Sequence, residues 1–189
     1  MRLFVGIPIS TGVAMAASDL VELLRSKAAR LAPKSRLTWV SGERLHVTVR
    51  FIGHIADGGV AGIVEALRPP LGLDPFDLTV AGVGVFPPKG APRVIWAGLS
   101  FGRDRLGAIE QIVSDRLAEA GVERESRPFN PHLTLARVRD ADGLLAETLL
   151  EGLGPASFGA TTVDAITLFE SRLSPRGPAY LVIHRTPLT

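Results

Sequence analysis

The chain predicts an α+β fold of two lobes, in which two antiparallel sheets with outer helices are related by pseudo-twofold symmetry around a central cleft. Three observations predict it. Apolar residues alternate with polar ones in some segments and recur at helical spacing in others, so strands and helices are interleaved. After the first strand the order is helix, strand, helix, strand, strand, and that order then repeats. The two central strands also open alike, as Leu45-His46-Val47-Thr48-Val49 and Pro131-His132-Leu133-Thr134-Leu135. Two copies of an α+β unit bury their apolar faces best as two facing sheets with helices outside.

Residues 2–8 read as a buried strand. Val13, Ala17, Leu20, Val21, Leu24, Ala28 and Leu31 follow at helical spacing, with Ser10 or Thr11 as N-cap and Pro33 closing the helix. Arg36–Val40 is a short extended stretch. Over Leu45–Ile52 strict alternation puts Leu45, Val47, Val49 and Phe51 on one face and His46, Thr48 and Arg50 on the other. Val60, Ile63, Val64 and Leu67 mark a second helix that Pro69-Pro70 stops. Asp77–Phe86 and Arg93–Leu99 are strands joined by a turn-rich Pro87–Pro92 connection. Leu106, Ile109, Ile112, Val113 and Leu117 line a third helix, with Gly121 placed as its C′ residue. A strand at His132–Val138, a short helix around Leu144–Leu150 and strands at Thr161–Phe169 and Ala179–Arg185 complete the chain. The reading is one domain over 1–189, with lobe-like repeats at about 11–99 and 103–186.

Composition narrows the function. The chain of 189 residues is 46% hydrophobic, enough for a sizeable core, and has no cysteine. Disulfide frameworks, thiolate metal sites and cysteine nucleophiles are therefore excluded together, and a reducing cytoplasm is the expected setting. No window reaches the ~20 apolar residues of a membrane span. A net charge of +2 permits a phosphate-bearing partner without demanding one. A P-loop and a full dinucleotide fingerprint are both missing.

In each H-x-T the histidine and threonine are two residues apart on a strand, so they share a face. A groove between the repeats then holds two imidazoles and two hydroxyls. A metal-free phosphodiester hydrolysis needs that set: a neutral imidazole to take a proton from water, an imidazolium to protonate the leaving oxygen, and hydroxyls for the non-bridging oxygens. His46, His132, Thr48 and Thr134 are therefore the candidate catalytic residues. Arg50 shares the His46 face and is a candidate phosphate ligand. His54 reads as a loop residue near the groove and His184 as structural or exposed. A zinc site would need more ligands than two histidines, so neither metal nor cofactor is expected.

These motifs, with Arg2-Leu3-Phe4-Val5, Trp39-Val40, Pro128-Phe129-Asn130-Pro131, Glu170-Ser171-Arg172-Leu173 and Gly177-Pro178-Ala179-Tyr180, resemble the RNA 2′,3′-cyclic phosphodiesterases once called 2′–5′ RNA ligases, of the two-histidine phosphoesterase superfamily. The resemblance covers the whole chain. It implies a bilobal fold with a central cleft and metal-independent opening of an RNA 2′,3′-cyclic phosphate to a 2′-phosphate. His46 would be the proton donor to O3′ and His132 the base that activates water, with Thr48 and Thr134 on phosphate oxygens. It also implies that Arg137 neutralises the phosphate, although alternation puts Arg137 on the face opposite His132. A bulge, or the arginine's length, would have to bring it in. Phe51 and Phe129 are read as core residues, with flanking of a base as the alternative. Two rival functions stay open: a 2′–5′ RNA ligase using the same residues in reverse, and a non-catalytic RNA- or nucleotide-binding module. A monomer acting on RNA or a nucleotide with a 2′,3′-cyclic phosphate, away from membranes, is the default.

Overall fold

The computed structural model describes residues 1–174 and 177–189, with side chains for 1–172 and 179–189, so the expected similarities at Leu173, Gly177 and Pro178 are described in backbone only. Its elements are β1 (Arg2–Pro8), α1 (Thr11–Leu31), β2 (Arg36–Trp39), β3 (His46–His54), α2 (Val60–Leu67), β4 (Phe76–Phe86), β5 (Val94–Phe101), α3 (Arg103–Glu119), β6 (Leu133–Asp140), α4 (Ala146–Leu150), β7 (Ser157–Val163), β8 (Ala165–Ser174) and β9 (Gly177–Pro187). Ser10 caps α1 through its side chain, as expected. Gly121 follows α3, whose last carbonyls accept from Gly121 N and Val122 N.

All pairing is antiparallel, in the order β7-β4-β5-β6-β3-β1-β8-β9, with β2 added to β6. The sheet is two four-stranded halves, β3-β1-β8-β9 and β7-β4-β5-β6. One residue pair, Val47 with Leu133, joins them. Both side chains are fully buried, so the joint is anchored in the core. The expected α+β architecture is present, with the sheets continuous through that bridge.

The repeats in the sequence are not the halves in space. The β4–β5 hairpin lies beside β6, and the β8–β9 hairpin beside β1, which pairs with β3. Helices cross over as well: α1 packs on β7 and α4, while α3 packs on β3 and α2. Val13, Ala17, Val21, Leu24 and Ala28 of α1, and Leu106, Ile109, Val113 and Leu117 of α3, are buried, which is the 3.6-residue stripe read from the sequence.

One element needs correcting. The single strand expected over Thr161–Phe169 is two strands, β7 and β8, broken at Asp164. There the chain leaves one half of the sheet for the other. Asp164 accepts from Leu188 N at 2.8 Å and pairs with Arg185 at 2.8 Å, which fixes the crossing. Thr161, Val163 and Ala165 are buried and Thr162 and Asp164 exposed, so alternation runs through Asp164 and hides the break.

Candidate active site

The Val47–Leu133 bridge sets the geometry. Residues flanking an antiparallel pair point to the opposite face from it. His46 and Thr48 therefore share a face with His132 and Thr134. His46 and Thr48 flank the bridge on β3, and His132 and Thr134 flank it on the β6 side. The two histidines are diagonal neighbours, about 7–8 Å apart at their backbones. The structure thus brings together all four residues that the sequence singled out for catalysis.

The two imidazoles are held identically. His46 Nδ1 lies 2.8 Å from the Arg44 carbonyl, and His132 Nδ1 lies 2.7 Å from the Asn130 carbonyl. A carbonyl only accepts, so Nδ1–H donates in both and Nε2 is left for chemistry. Burial pushes both imidazoles below the ordinary 6.5. The carbonyl bonds partly oppose that shift, and the Arg137 guanidinium adds a further push down. No described protein group engages either threonine hydroxyl.

Arg137 and Arg50 exchange the places that simple alternation gives them. Against β5, β6 pairs Ile95 with Ala136 but Trp96 with Thr134, so Leu135 is an extra residue. Against β1, β3 pairs Val5 with Arg50 but Gly6 with Thr48, so Val49 is extra. These are matching bulges, three residues after each histidine, and each reverses the alternation beyond it. Arg137 is brought to the histidine face, where its charge bears on His46, His132 and Tyr180. Arg50 is turned away from that face: it is 4% exposed and donates to the Glu123 carbonyl at 2.5 Å. The reading of Arg50 as a phosphate ligand is therefore corrected. Phe51, the counterpart of Arg137, is 50% exposed beside Phe4 and is not a core residue. Phe129 packs against the core as read. His54 ends β3, exposed and paired with Arg2. His184 sits on β9 opposite Leu168, its Nε2 buried.

Sequence reasoning missed the aromatic collar. Phe4, Phe169 and Tyr180 surround His46, with ring centroids at 4.8, 6.2 and 5.1 Å. Phe86 and Trp96 flank His132 at 5.3 and 6.5 Å. These rings supply the burial that depresses both imidazoles. The signal was the near-alignment of Trp96 with Tyr180 in the repeats. Each ring flanks the histidine of the other repeat, because the hairpins are interchanged. Gly6 lies opposite Thr48, and its missing side chain leaves space for the His46 ring.

Comparison with known proteins bears on this arrangement. The family model for the 2′-5′ RNA ligase superfamily matches residues 16–174. An RNA 2′,3′-cyclic phosphodiesterase of Thermotoga maritima is 32% identical over 185 residues, 97% of this chain and 94% of that protein. One of Aeropyrum pernix is 35% identical over 146 residues, 77% of this chain and 82% of that protein. Among solved structures, E. coli LigT complexed with 3′-AMP superposes with a TM-score of 0.73 over 100% of this chain and 98% of its own, at 24% identity, a likeness of fold.

Proposed function

Because the chain belongs to the 2′-5′ RNA ligase superfamily, we propose that it hydrolyses RNA 2′,3′-cyclic phosphate ends to 2′-phosphates by two-histidine acid–base catalysis. The observation that carries this reading is the pair of H-x-T motifs on one face, diagonal across the Val47–Leu133 bridge, with Nε2 of each histidine left open. The superfamily is one of phosphoesterases, and the Thermotoga maritima relative named RNA 2′,3′-cyclic phosphodiesterase matches nearly end to end.

In the proposed mechanism the phosphate sits between the two imidazoles. His132 Nε2 takes a proton from water as it attacks phosphorus. His46 Nε2, as imidazolium, gives its proton to the departing O3′, which leaves the phosphate on O2′. Attack in line with the leaving group needs base and acid on opposite sides of phosphorus. Two histidines from the two halves of the sheet meet that need. Thr48 and Thr134 donate to the non-bridging oxygens, and Arg137 offsets their charge. Both histidines are biased to the neutral form, so the bound phosphate anion is what favours the imidazolium that the acid must be.

Metal independence is supported by donor chemistry. Among the described residues no three His, Cys, Asp or Glu side chains are grouped to hold an ion. Among the described residues no helix is long and apolar enough to cross a membrane, and a cysteine-free monomer in the cytoplasm, folded as one domain, fits the same reading. Ligation in the reverse direction would use the same groups, and water at its bulk concentration favours hydrolysis.

The test is digestion of a short RNA ending in a 2′,3′-cyclic phosphate, with the product isomers resolved by phosphorus NMR. The 2′-phosphate is expected, unaffected by exhaustive chelation. His46→Ala and His132→Ala should each lose at least about 10²-fold in turnover. A mainly 3′-phosphate product would reverse the two roles, and metal-restored activity would favour a metalloenzyme.

A further inference from the structure

The face that carries His46 continues past it. Paired residues share a face, so β1 and β3 present Gly6 with Thr48, then Phe4 with Phe51, then Arg2 with His54. At about 3.3 Å per residue, Phe51 lies roughly 7 Å and Arg2 roughly 13 Å from the Thr48 level. Across β8, Phe169 pairs with Phe4 and with Val182 of β9, and Val182 is 65% exposed. The row therefore runs from the catalytic threonine, across an apolar and aromatic strip exposed at Phe51 and Val182 and buried at Phe4 and Phe169 between them, to two exposed nitrogen donors. Arg2 makes no hydrogen bond or ion pair with any described residue. The acid nearest in sequence to this end, Asp57, faces the chain's own amino group at 3.6 Å. The Tyr180 phenol, on the same face, feels Arg137, Arg44 and Arg2 together, so positive charge converges there.

We propose that Arg2 and His54 form a subsite for the phosphate on the 5′ oxygen of the terminal nucleoside, with that nucleoside lying along the Phe51 strip. An exposed ring beside an arginine with no described ion-pair partner is the combination that holds single-stranded nucleic acid, the base on the ring and the backbone on the charge. The site is continuous with the catalytic face along β1 and β3. This subsite rests on the hydrolase reading and makes the enzyme discriminate by what is attached upstream of the cyclic phosphate. A 5′-phosphomonoester and the phosphodiester of a longer RNA present the same oxygens, so both are candidate ligands.

Three substrates separate the cases: a nucleoside 2′,3′-cyclic phosphate with a free 5′-hydroxyl, the same with a 5′-phosphate, and a dinucleotide ending in the cyclic phosphate. The native enzyme is expected to show about tenfold higher kcat/KM on the last two than on the first. Arg2→Gln should bring all three within about twofold while leaving the 5′-hydroxyl substrate unchanged, and Arg2→Lys should restore part of the gain. The dinucleotide should also lose about 0.7 of a unit of salt slope in Arg2→Gln. A gain confined to the dinucleotide assigns the subsite to RNA, and one confined to the 5′-phosphate assigns it to a mononucleotide. Equal rates on all three in the native enzyme, or an equal loss on all three in Arg2→Gln, would overturn the subsite alone. Failure to hydrolyse any of them would overturn the hydrolase reading with it.

Discussion

Gly6→Ala is the sharpest probe of how His46 is held. The Gly6 backbone lies outside the left-handed region, so an alanine there is limited by space alone. Its Cβ would stand 3.2 Å from His46 Cδ2, 3.2 Å from the Val47 carbonyl oxygen and 3.3 Å from Phe4 Cε2. Carbon contacts are comfortable at about 3.5–4.0 Å, so a few tenths of an ångström must be found. The Val47 carbonyl belongs to the β1–β3 strand pair, and Phe4 is 4% exposed and stacked on Phe169 at 5.1 Å. The half-buried imidazole is the part that gives, pivoting on its bond to Arg44. Overpacking of this kind costs about 1–3 kcal/mol, or a fall in Tm of about 2–12 °C for a chain of this size. If 1 Å of misplacement costs about 10²-fold, a few tenths should lower kcat by about three- to tenfold. Turnover of a cyclic-phosphate oligonucleotide, a thermal melt and the His46 ring resonances measure all three. A kcat within twofold of the native value, with the His46 resonances unmoved, would show that the ring does not abut Gly6.

Arg137→Gln removes a positive charge that lowers both imidazoles, so both NMR titration midpoints of the free protein should rise; a fall in either refutes the action of Arg137 on both. Because the native midpoints lie below 6.5, kcat/KM should peak on the acid side of that value and decline as the acid loses its proton above it; a peak well above 6.5 would contradict the burial argument. The same shifts link to stability. The unfolded chain takes up these protons first, so stability is complete above 6.5 and declines as pH falls below it, and denaturant titrations at pH 7.5 and 5.5 with native protein and His46→Gln should show the native loss reduced in the variant. Arg50→Ala should cost about 1.5–3 kcal/mol through the lost bond to the Glu123 carbonyl, while KM stays near native; a large rise in KM without loss of stability would return Arg50 to the substrate.

What the sequence made legible was whatever repeats with a fixed period. The helices followed from their 3.6-residue stripes, and the shared face of the His/Thr quartet from period-two spacing within each H-x-T. The two arginines were misassigned by that same period, because a single bulged residue reverses a face without changing the pattern of residue types. Val49-Arg50 and Leu135-Ala136 contain no glycine or proline to announce the irregularity; only the backbone pairing reveals it. The collar was hidden for another reason. Tyr180 reaches His46 by way of β9, β8 and β1, a relation set by sheet order and not by local spacing. The resemblance supplied Arg137, which residue-by-residue alternation alone had rejected.

The interlacing of the two halves has a consequence for biosynthesis. The strands β4 to β7 occupy one continuous stretch of chain, and their half of the sheet has all its strands once Val163 is made. The other half joins β1 and β3, made before that stretch, to β8 and β9, made after it. Leu3 finds its partner Glu170 only after β4 to β7 have all been made. Until then one edge of β1 stays open, an apolar edge of the kind that invites pairing with a foreign strand. The wall formed by Phe169 and Tyr180 around His46 cannot exist on a ribosome-bound chain whose β8 and β9 are still in the exit tunnel. The face that carries His46 is therefore completed only after β8 and β9 have been made, and the interval before they dock is when the nascent chain is most exposed to misassembly.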